Sequence, residues 1–175
     1  MTKAECRKYV KTLMGEHRQE LPLLSEKALV ALRENEHFRS AKTVLLFYSL
    51  KDEVSTHDFL REVMETKRVF LPVVSGEDMF MAEYEVDTPL KRRSLGVEEP
   101  QAPLYFGDVD VAVVPGVAFS AEGHRLGRGR GYYDRFLSQH ACYRIGLCFS
   151  FQRLAEIPCE PHDVVMNEVI SDLNF

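Results

Sequence analysis

Positive charge, paired cysteines and long apolar runs are all scarce in this chain of 175 residues. Its 27 acidic residues outnumber its 22 basic residues, which gives a formal net charge of -5. This balance argues against a general nucleic-acid or anionic-membrane binder, because such proteins depend on a basic surface. Any site for an anion is therefore expected to be local.

The four cysteines include no CxxC pair, and the CxxH spacing of Cys159 and His162 lacks the second pair of ligands that a structural zinc site needs. We therefore expect reduced thiols in a cytoplasmic protein without a signal peptide. The longest apolar runs, such as "VLLF" and "VAVVP", are far shorter than the roughly 18 residues of a membrane helix. No repeat or linker divides the sequence, which predicts one globular domain over residues 1–175.

Helical periodicity recurs along the chain. A capping box of Thr2 and Glu5 predicts a first helix over residues 3–19. Pro22 is expected to interrupt the chain before Ser25 caps a second helix over 26–38. Apolar stripes predict two more helices, over 57–67 with Ser55 or Thr56 as the cap and over 132–140.

Short β-rich segments alternate with these helices. The predicted strands cover 42–50, 68–74, 78–86, 109–119, 143–150 and 167–173, whereas 92–108 is predicted to be a long loop. Alternating strands and helices predict a three-layer α/β/α domain with a largely parallel sheet. In such sheets, ligands bind at the carboxyl ends of the strands.

One stretch before the 132–140 helix has an unusual composition, "RLGRGRGYYDRF" at residues 125–136. Its three alternating glycines allow positive φ and close approach of a ligand, and successive N–H groups there can form a concave anion site. The helix that follows adds the positive end of its dipole. Arginines at 125, 128 and 130 supply charge-assisted donors for phosphate oxygens.

The stretch matches neither the GxGxxG dinucleotide pattern directly after a strand nor the P-loop pattern. From its composition alone, three interpretations stay open: a polyphosphate site, a mobile surface loop with solvated arginines, and an RGG-like contact to nucleic acid.

The longer segment "VVPGVAFSAEGHRLGRGRGYYDRFL" resembles the signature of the 5-formyltetrahydrofolate cyclo-ligase family. Supporting matches are "FYSLKDEVST", "FLP", "FGDVDVAVVPG" and "PHDVVMNEVIS", in family order and covering nearly the whole chain. The resemblance implies conversion of 5-formyltetrahydrofolate to 5,10-methenyltetrahydrofolate with MgATP, in a fold related to the CoA-transferase and sugar-phosphate isomerase group. It also implies that ATP phosphorylates the formyl oxygen before ring closure.

The same resemblance implies a set of site residues. Arg128 and Arg130 are expected to be catalytic, Tyr48 and Glu53 to contact folate, and Asp134 and Asp163 to hold Mg²⁺. The positions expected to contact ATP are Lys3, Arg7, Arg125, Leu126, Gly127, Arg128, Gly129, Arg130, Gly131, Tyr132 and Tyr133. The expected partners are the two substrates, with no nucleic acid, no membrane and no second subunit.

The chain departs from the common family pattern at three positions: Ser120 stands where an aspartate is frequent, Arg130 where a lysine is frequent, and Val73 where a basic residue is common. The Val73 difference leaves one anion contact without a partner. Two other functions stay open: a sugar-phosphate isomerase or CoA-ester enzyme that needs no nucleotide, and an RNA-binding module that uses Arg125, Arg128, Arg130 and Arg135.

Overall fold

The structure is a computed structural model that describes residues 1–93 and 96–173. Its helices are α1 (Lys3–Glu16), α2 (Leu21–Glu34), α3 (Glu36–Ser40), α4 (His57–Met64) and α5 (Tyr132–Gln139). Its strands are β1 (Thr43–Leu45), β2 (Arg68–Ser75), β3 (Asp78–Tyr84), β4 (Leu90–Arg92), β5 (Glu98–Pro100), β6 (Leu104–Tyr105), β7 (Val111–Val114), β8 (Ala118–Phe119), β9 (Arg125–Leu126), β10 (Tyr143–Leu147) and β11 (Glu168–Ile170).

Seven strands form the central sheet in the order β11-β10-β7-β1-β2-β3-β6. The first five are parallel to one another, and β3 and the edge strand β6 follow, each antiparallel to the strand before it. Val44 in the middle of the sheet pairs with Val69 on one side and with Val111 on the other. The largely parallel sheet is therefore confirmed.

Side chains alternate between the two faces of each central strand, and both faces are covered. Val44, Val69 and Val113 pack under α2, α3 and α4, whereas the intervening Leu45 and Phe70 pack on the face that α5 covers. All four residues of β7 are buried. The arrangement has the three predicted layers; kinship with the CoA-transferase and sugar-phosphate isomerase group stays a prediction.

Helix α1 packs mostly outside these two cores, although Met14 near its end belongs to the core under α2, α3 and α4. The predicted capping box is present, because the Thr2 hydroxyl accepts from Glu5 N at 3.1 Å and the Glu5 carboxylate accepts from Thr2 N at 2.8 Å. Cys6 and Val10 pack with Ala118, Leu126 and Ile157 in a separate small core around the β8–β9 hairpin. This packing fixes α1 beside the segment that follows β9.

The predicted end of the first helix and the predicted start of the second are wrong. The first helix ends at Glu16 and continues as a 3-10 turn over Arg18–Glu20. Helix α2 starts at Leu21 because Pro22 fits in the first turn, where its missing N–H has no partner to lose. Ser25 lies buried inside that helix, and its hydroxyl accepts from Ser55 N at 3.0 Å instead of capping.

The fourth helix is shorter than predicted and ends at Met64. Thr56 precedes it but makes no capping bond, because its hydroxyl donates to Phe47 O and accepts from Ser49 N. The predicted loop 92–108 contains β5, β6 and the end of β4, strands too short to show a period; residues 94 and 95 of that stretch lie outside the described residues. None of the helices in the described part of the chain has the length and apolarity needed to cross a membrane.

Candidate functional site

A cavity of about 540 Å³ opens at the carboxyl ends of β1, β2 and β7. This volume falls in the range of roughly 300–1,000 Å³ that is typical of small-molecule sites. Every site residue predicted from the sequence lies on its wall: Lys3, Arg7, Tyr48, Glu53, Arg125, Leu126, Gly127, Arg128, Gly129, Arg130, Gly131, Tyr132, Tyr133, Asp134 and Asp163. The fold therefore brings together residues that span 160 positions of sequence.

Residues 127–131 form the glycine loop, which connects β9 to α5. Gly129 has a φ of 105°, and Gly131, the N-cap of α5, has a φ of 71°. Among the described residues, no protein acceptor pairs with the N–H groups of residues 127–131. Unpaired N–H groups beside a helix N-terminus form an anion-binding concavity, because their partial positive charges converge.

Arg125 lines the cavity at the residue where β9 begins. Its Nε donates to Pro115 O at 2.7 Å, and its guanidinium lies 4.9 Å from the ring centroid of Tyr133. Burial lowers the pKa of Arg125, although Asp134 and the neighbouring acids oppose the shift. Burial and the charge of Glu53 raise the pKa of Tyr133, so this ring stays a neutral phenol.

Helix α1 contributes two cations from one face, since Lys3 and Arg7 are four residues apart. Arg7 Nε donates to Gly127 O at 3.0 Å, which ties the helix to the glycine loop. Lys3 Nζ lies 3.3 Å from Glu160 Oε1 and 3.4 Å from Asp163 Oδ2. Burial acts to lower the pKa of Lys3, but the bonds to Glu160 and Asp163 outweigh it, so the pKa of Lys3 is raised.

Glu53 follows β1, and its carboxylate lies near Arg128 and Arg125. Its Oε1 accepts from Leu50 N at 2.8 Å, and its Oε2 lies 3.6 Å from Arg128 Nη2. Burial raises the pKa of Glu53 despite Leu50 N and the charges of Arg128 and Arg125. This carboxylate therefore retains acceptor capacity that the protein itself does not use.

Tyr48 lies at the same strand end, with its ring stacked on the His57 ring at a centroid distance of 3.9 Å. His57 Nε2 is 2.8 Å from Ser49 O, which fixes the imidazole plane. Tyr48 thus reaches the cavity as an immobilised aromatic face.

Asp134 and Asp163 are the two acids that were predicted to hold a metal. Asp134 Oδ1 accepts from Val164 N at 3.1 Å, which links the start of α5 to the late loop that carries Asp163. Asp163 Oδ2 accepts from Glu160 N at 2.8 Å. Within residues 1–93 and 96–173, no group of three or more His, Cys, Asp or Glu side chains could hold a metal. Two carboxylates still fit Mg²⁺, because this ion binds through one or two carboxylates, water and phosphate oxygens.

Sequence reasoning missed several wall residues. Glu160 and His162 line the cavity beside Asp163, and their place in the "EPHD" segment was the only signal for them. Val73 does not line it, because strand alternation turns Val73 away while its neighbours face inward. The remaining wall is mostly apolar and was not predicted: Phe47, Leu50, Pro72, Val74, Met79 and Val97.

Comparison with known proteins gives a consistent result. The model of the 5-formyltetrahydrofolate cyclo-ligase family matches residues 1–172. A 5-formyltetrahydrofolate cyclo-ligase from Haemophilus influenzae is 32% identical, over 75% of this chain and 76% of its own length. A probable 5-formyltetrahydrofolate cyclo-ligase from Caenorhabditis elegans is 30% identical, over 96% and 91%. The solution structure of Aquifex aeolicus 5,10-methenyltetrahydrofolate synthetase superposes with a TM-score of 0.86 at 32% identity, over 99% of this chain and 91% of that one.

Proposed function

Because the chain belongs to the 5-formyltetrahydrofolate cyclo-ligase family, we propose that its cavity binds MgATP and 5-formyltetrahydrofolate side by side and cyclises the folate. The chain is a ligase of folate one-carbon metabolism. The products are 5,10-methenyltetrahydrofolate, ADP and phosphate. One observation supports the residue assignment: the glycine loop, with its unpaired N–H groups, and the segments that carry Glu53 and the apolar side chains line one cavity.

The glycine loop is the triphosphate side of this proposal. Its unpaired N–H groups and the N-terminus of α5 supply partial positive charge. Arg125, Lys3 and Arg7 surround the loop with full charges, and the exposed Arg130 is free to close over a phosphate. Gly129 has a positive φ, which glycine adopts readily, and it has no Cβ, so a ligand can approach its backbone closely.

The folate side is the wall formed after β1 and β2. The Glu53 carboxylate suits adjacent N–H donors of a pteridine ring, since an ionised carboxylate only accepts hydrogen bonds. Tyr48 offers a fixed flat surface for the same ring, and the apolar side chains of Pro72 and Val74 exclude water from it. Burial of the Glu53 carboxylate in an apolar pocket lowers the stability of the folded chain, as is common for functional carboxylates.

The chemistry follows from the reactivity of a formamide. Its oxygen is a poor leaving group, so ring closure needs that oxygen converted to a phosphate ester. The formyl oxygen attacks the γ-phosphorus and ADP departs. N10 then attacks the formyl carbon and loses its proton, and the C–O bond breaks as phosphate leaves, so that the proton is balanced by the hydrogen phosphate product. Arg128 belongs to the glycine loop and lies 3.6 Å from Glu53, where its guanidinium can follow the charge on the transferred phosphoryl oxygens.

Asp134 and Asp163 are the residues proposed to hold Mg²⁺. When bound there, the ion neutralises charge on the phosphate oxygens. The contact of Lys3 with Asp163 places a protein cation beside these acids, and Asp134 keeps its second oxygen for a ligand. The four free cysteines are compatible with a cytoplasmic location, which we propose together with a monomeric state and no nucleic-acid partner.

The decisive experiment incubates purified protein with 5-formyltetrahydrofolate, MgATP or both. We expect the ultraviolet-absorbing methenyl product and ADP in equal amounts, and only when both substrates are present. Methenyl product without ATP consumption, or neither product from folded protein supplied with magnesium, would refute the proposal.

A further inference from the structure

Arg135 lies one turn into α5 and does not line the cavity, yet it contacts the glycine loop, which does, and the turn between two strands that contribute to the wall. Its Nη2 donates to Arg130 O, in the glycine loop, at 2.9 Å. Its Nε donates at 3.1 Å to Glu77 O, in the turn between β2 and β3, and Nη2 donates to that same carbonyl. One planar guanidinium therefore bridges the loop and the turn.

Tyr132 makes a second contact from α5 to the same turn. The Tyr132 hydroxyl donates to Gly76 O at 3.4 Å, and the Arg135 guanidinium lies 5.5 Å from the Tyr132 ring centroid. The turn joins β2 to β3, whose Val74 and Met79 form part of the opposite wall. Arg135 thus ties the phosphate side of the cavity to the edge of the folate side.

The contact with Arg130 O also sets the direction of one peptide group. In a trans peptide the carbonyl and the following N–H point in opposite directions. Since Arg130 O points toward Arg135, the Gly131 N–H points away from Arg135. Arg130 and Gly131 line the cavity, whereas Arg135 does not. Gly131 keeps this conformation through its positive φ, and a Cβ there would come within 2.7 Å of Arg135 Nη1.

We propose that Arg135 is a positioning residue that sets nucleotide affinity by holding the Arg130–Gly131 peptide with its N–H toward the phosphates. This inference rests on the proposed binding of ATP at the glycine loop. Without the guanidinium, the peptide is free to rotate, and its carbonyl then repels phosphate where the N–H attracted it. The loop loses affinity for nucleotide although every residue that touches the nucleotide is still present.

The test titrates MgATP into Arg135→Gln by calorimetry in the absence of folate and measures steady-state kinetics with both substrates. We expect the Kd and KM for MgATP to rise about tenfold, the size of one lost hydrogen bond to a charged group. The kcat at saturation and the KM for 5-formyltetrahydrofolate stay at wild-type values. Arg135→Lys is a smaller structural change that keeps the charge but lacks the planar guanidinium that donates to both carbonyls. We expect the same rise in the Kd and KM for MgATP, with kcat unchanged.

Arg144→Gln is the matched control, because Arg144 also donates from a guanidinium to a backbone carbonyl, Val165 O at 2.8 Å, but lies outside the cavity. It keeps wild-type affinity for MgATP. Wild-type affinity in both Arg135 variants, or an equal rise in the KM of both substrates, overturns the inference while the proposed function stands. A wild-type protein that binds no MgATP overturns the proposed function, and the inference falls with it.

Discussion

Each end of the central sheet carries an arginine–glutamate pair, and the two pairs differ in geometry and in pKa. At the amino end of β2, Arg68 donates two hydrogen bonds to Glu83, at 3.1 and 2.8 Å. At the carboxyl ends, the corresponding atoms of Arg128 and Glu53 come no closer than 3.6 Å. The bond from Arg68 lowers the pKa of Glu83, whereas burial raises the pKa of Glu53.

The difference separates structural from functional use of the same two residue types. The Arg68–Glu83 pair is complete within the protein, so it stabilises the folded chain modestly. In the Arg128–Glu53 pair, Glu53 keeps unused acceptor capacity while it is largely shielded from water, which destabilises the folded chain, and the half-exposed Arg128 keeps unused donors. We infer that this capacity is reserved for substrates.

The largest expected effect is on turnover in Arg128→Lys. A compact ammonium cannot reproduce the planar contact of a guanidinium, so we expect kcat to fall about a hundredfold, as is common when one transition-state donor is lost. Binding of MgATP changes much less. Arg68→Lys, the same substitution at the opposite end of the sheet, is the control and keeps wild-type turnover. Unchanged turnover in Arg128→Lys would contradict the assignment of a functional role to the Arg128–Glu53 pair.

A second prediction concerns the metal. If Asp134 is a ligand, Asp134→Asn raises the concentration of free magnesium needed for half-maximal activity by at least about tenfold. Even the loss of a residue that only hydrogen-bonds to a metal ligand commonly weakens metal affinity by that factor. The measurement is activity against free magnesium at saturating ATP and folate. Asp58→Asn is the control, since Asp58 lies in the first turn of α4 as Asp134 does in α5, but is fully exposed and outside the cavity. Overlapping curves for Asp134→Asn and wild type would show that Asp134 only interacts with its helix end.

Glu53→Gln should separate binding from stability. We expect the KM for 5-formyltetrahydrofolate to rise about tenfold, because a charged acceptor is lost. The free energy of unfolding, however, increases near neutral pH. Glu53 has a raised pKa in the folded state, so its ionised form costs stability above that pKa, and the cost disappears below the ordinary glutamate pKa of about 4.3. Urea unfolding of both proteins across this range checks the sign; a variant less stable than wild type at neutral pH would contradict it.

The smallest effect is expected for Glu83→Gln, with the opposite sign. The pKa of Glu83 is lowered in the folded state, so its contribution to stability is present above the ordinary pKa and is lost as the pH falls through the folded value. We expect the variant to lose less than about 1 kcal/mol near neutral pH, the range of exposed ion pairs. The loss fades in acid, and both KM values stay unchanged. A gain in stability at neutral pH would refute this assignment.

Local patterns predicted the parts of the fold that depend on them. The β1-α4-β2 unit and the β7-α5-β10 succession follow from apolar runs and helical stripes that one segment carries by itself. Ser25 shows the limit of such reasoning. A serine before an apolar helical stripe suits an N-cap, but the Ser25 hydroxyl accepts a hydrogen bond from Ser55 N, 30 residues away. The strands within 92–108 were missed for the same reason, since two- and three-residue strands exist only through their pairing.

The candidate site shows the same division. Its residue types were predictable because the glycines, the arginines and the "PHD" segment resemble a known family. The bridging role of Arg135 and the unequal arginine–glutamate pairs were not predictable, because both depend on distances between segments that the sequence separates. Val73 illustrates the reverse error: a departure from the family pattern suggested a missing contact, but the strand turns this residue away from the cavity.

The links of α1 to the rest of the chain have a consequence for the order of synthesis. Arg7 donates to Gly127, 120 residues later in the sequence, and Lys3 donates to Glu160 and Asp163, 157 and 160 residues later. On the ribosome, α1 is therefore made long before its partners emerge, and closing so large a loop is slow. A chain stalled before Glu160 already has β1, β2 and β7 but lacks part of the cavity wall. The cavity is therefore complete only after the segment that carries Asp163 has been synthesised.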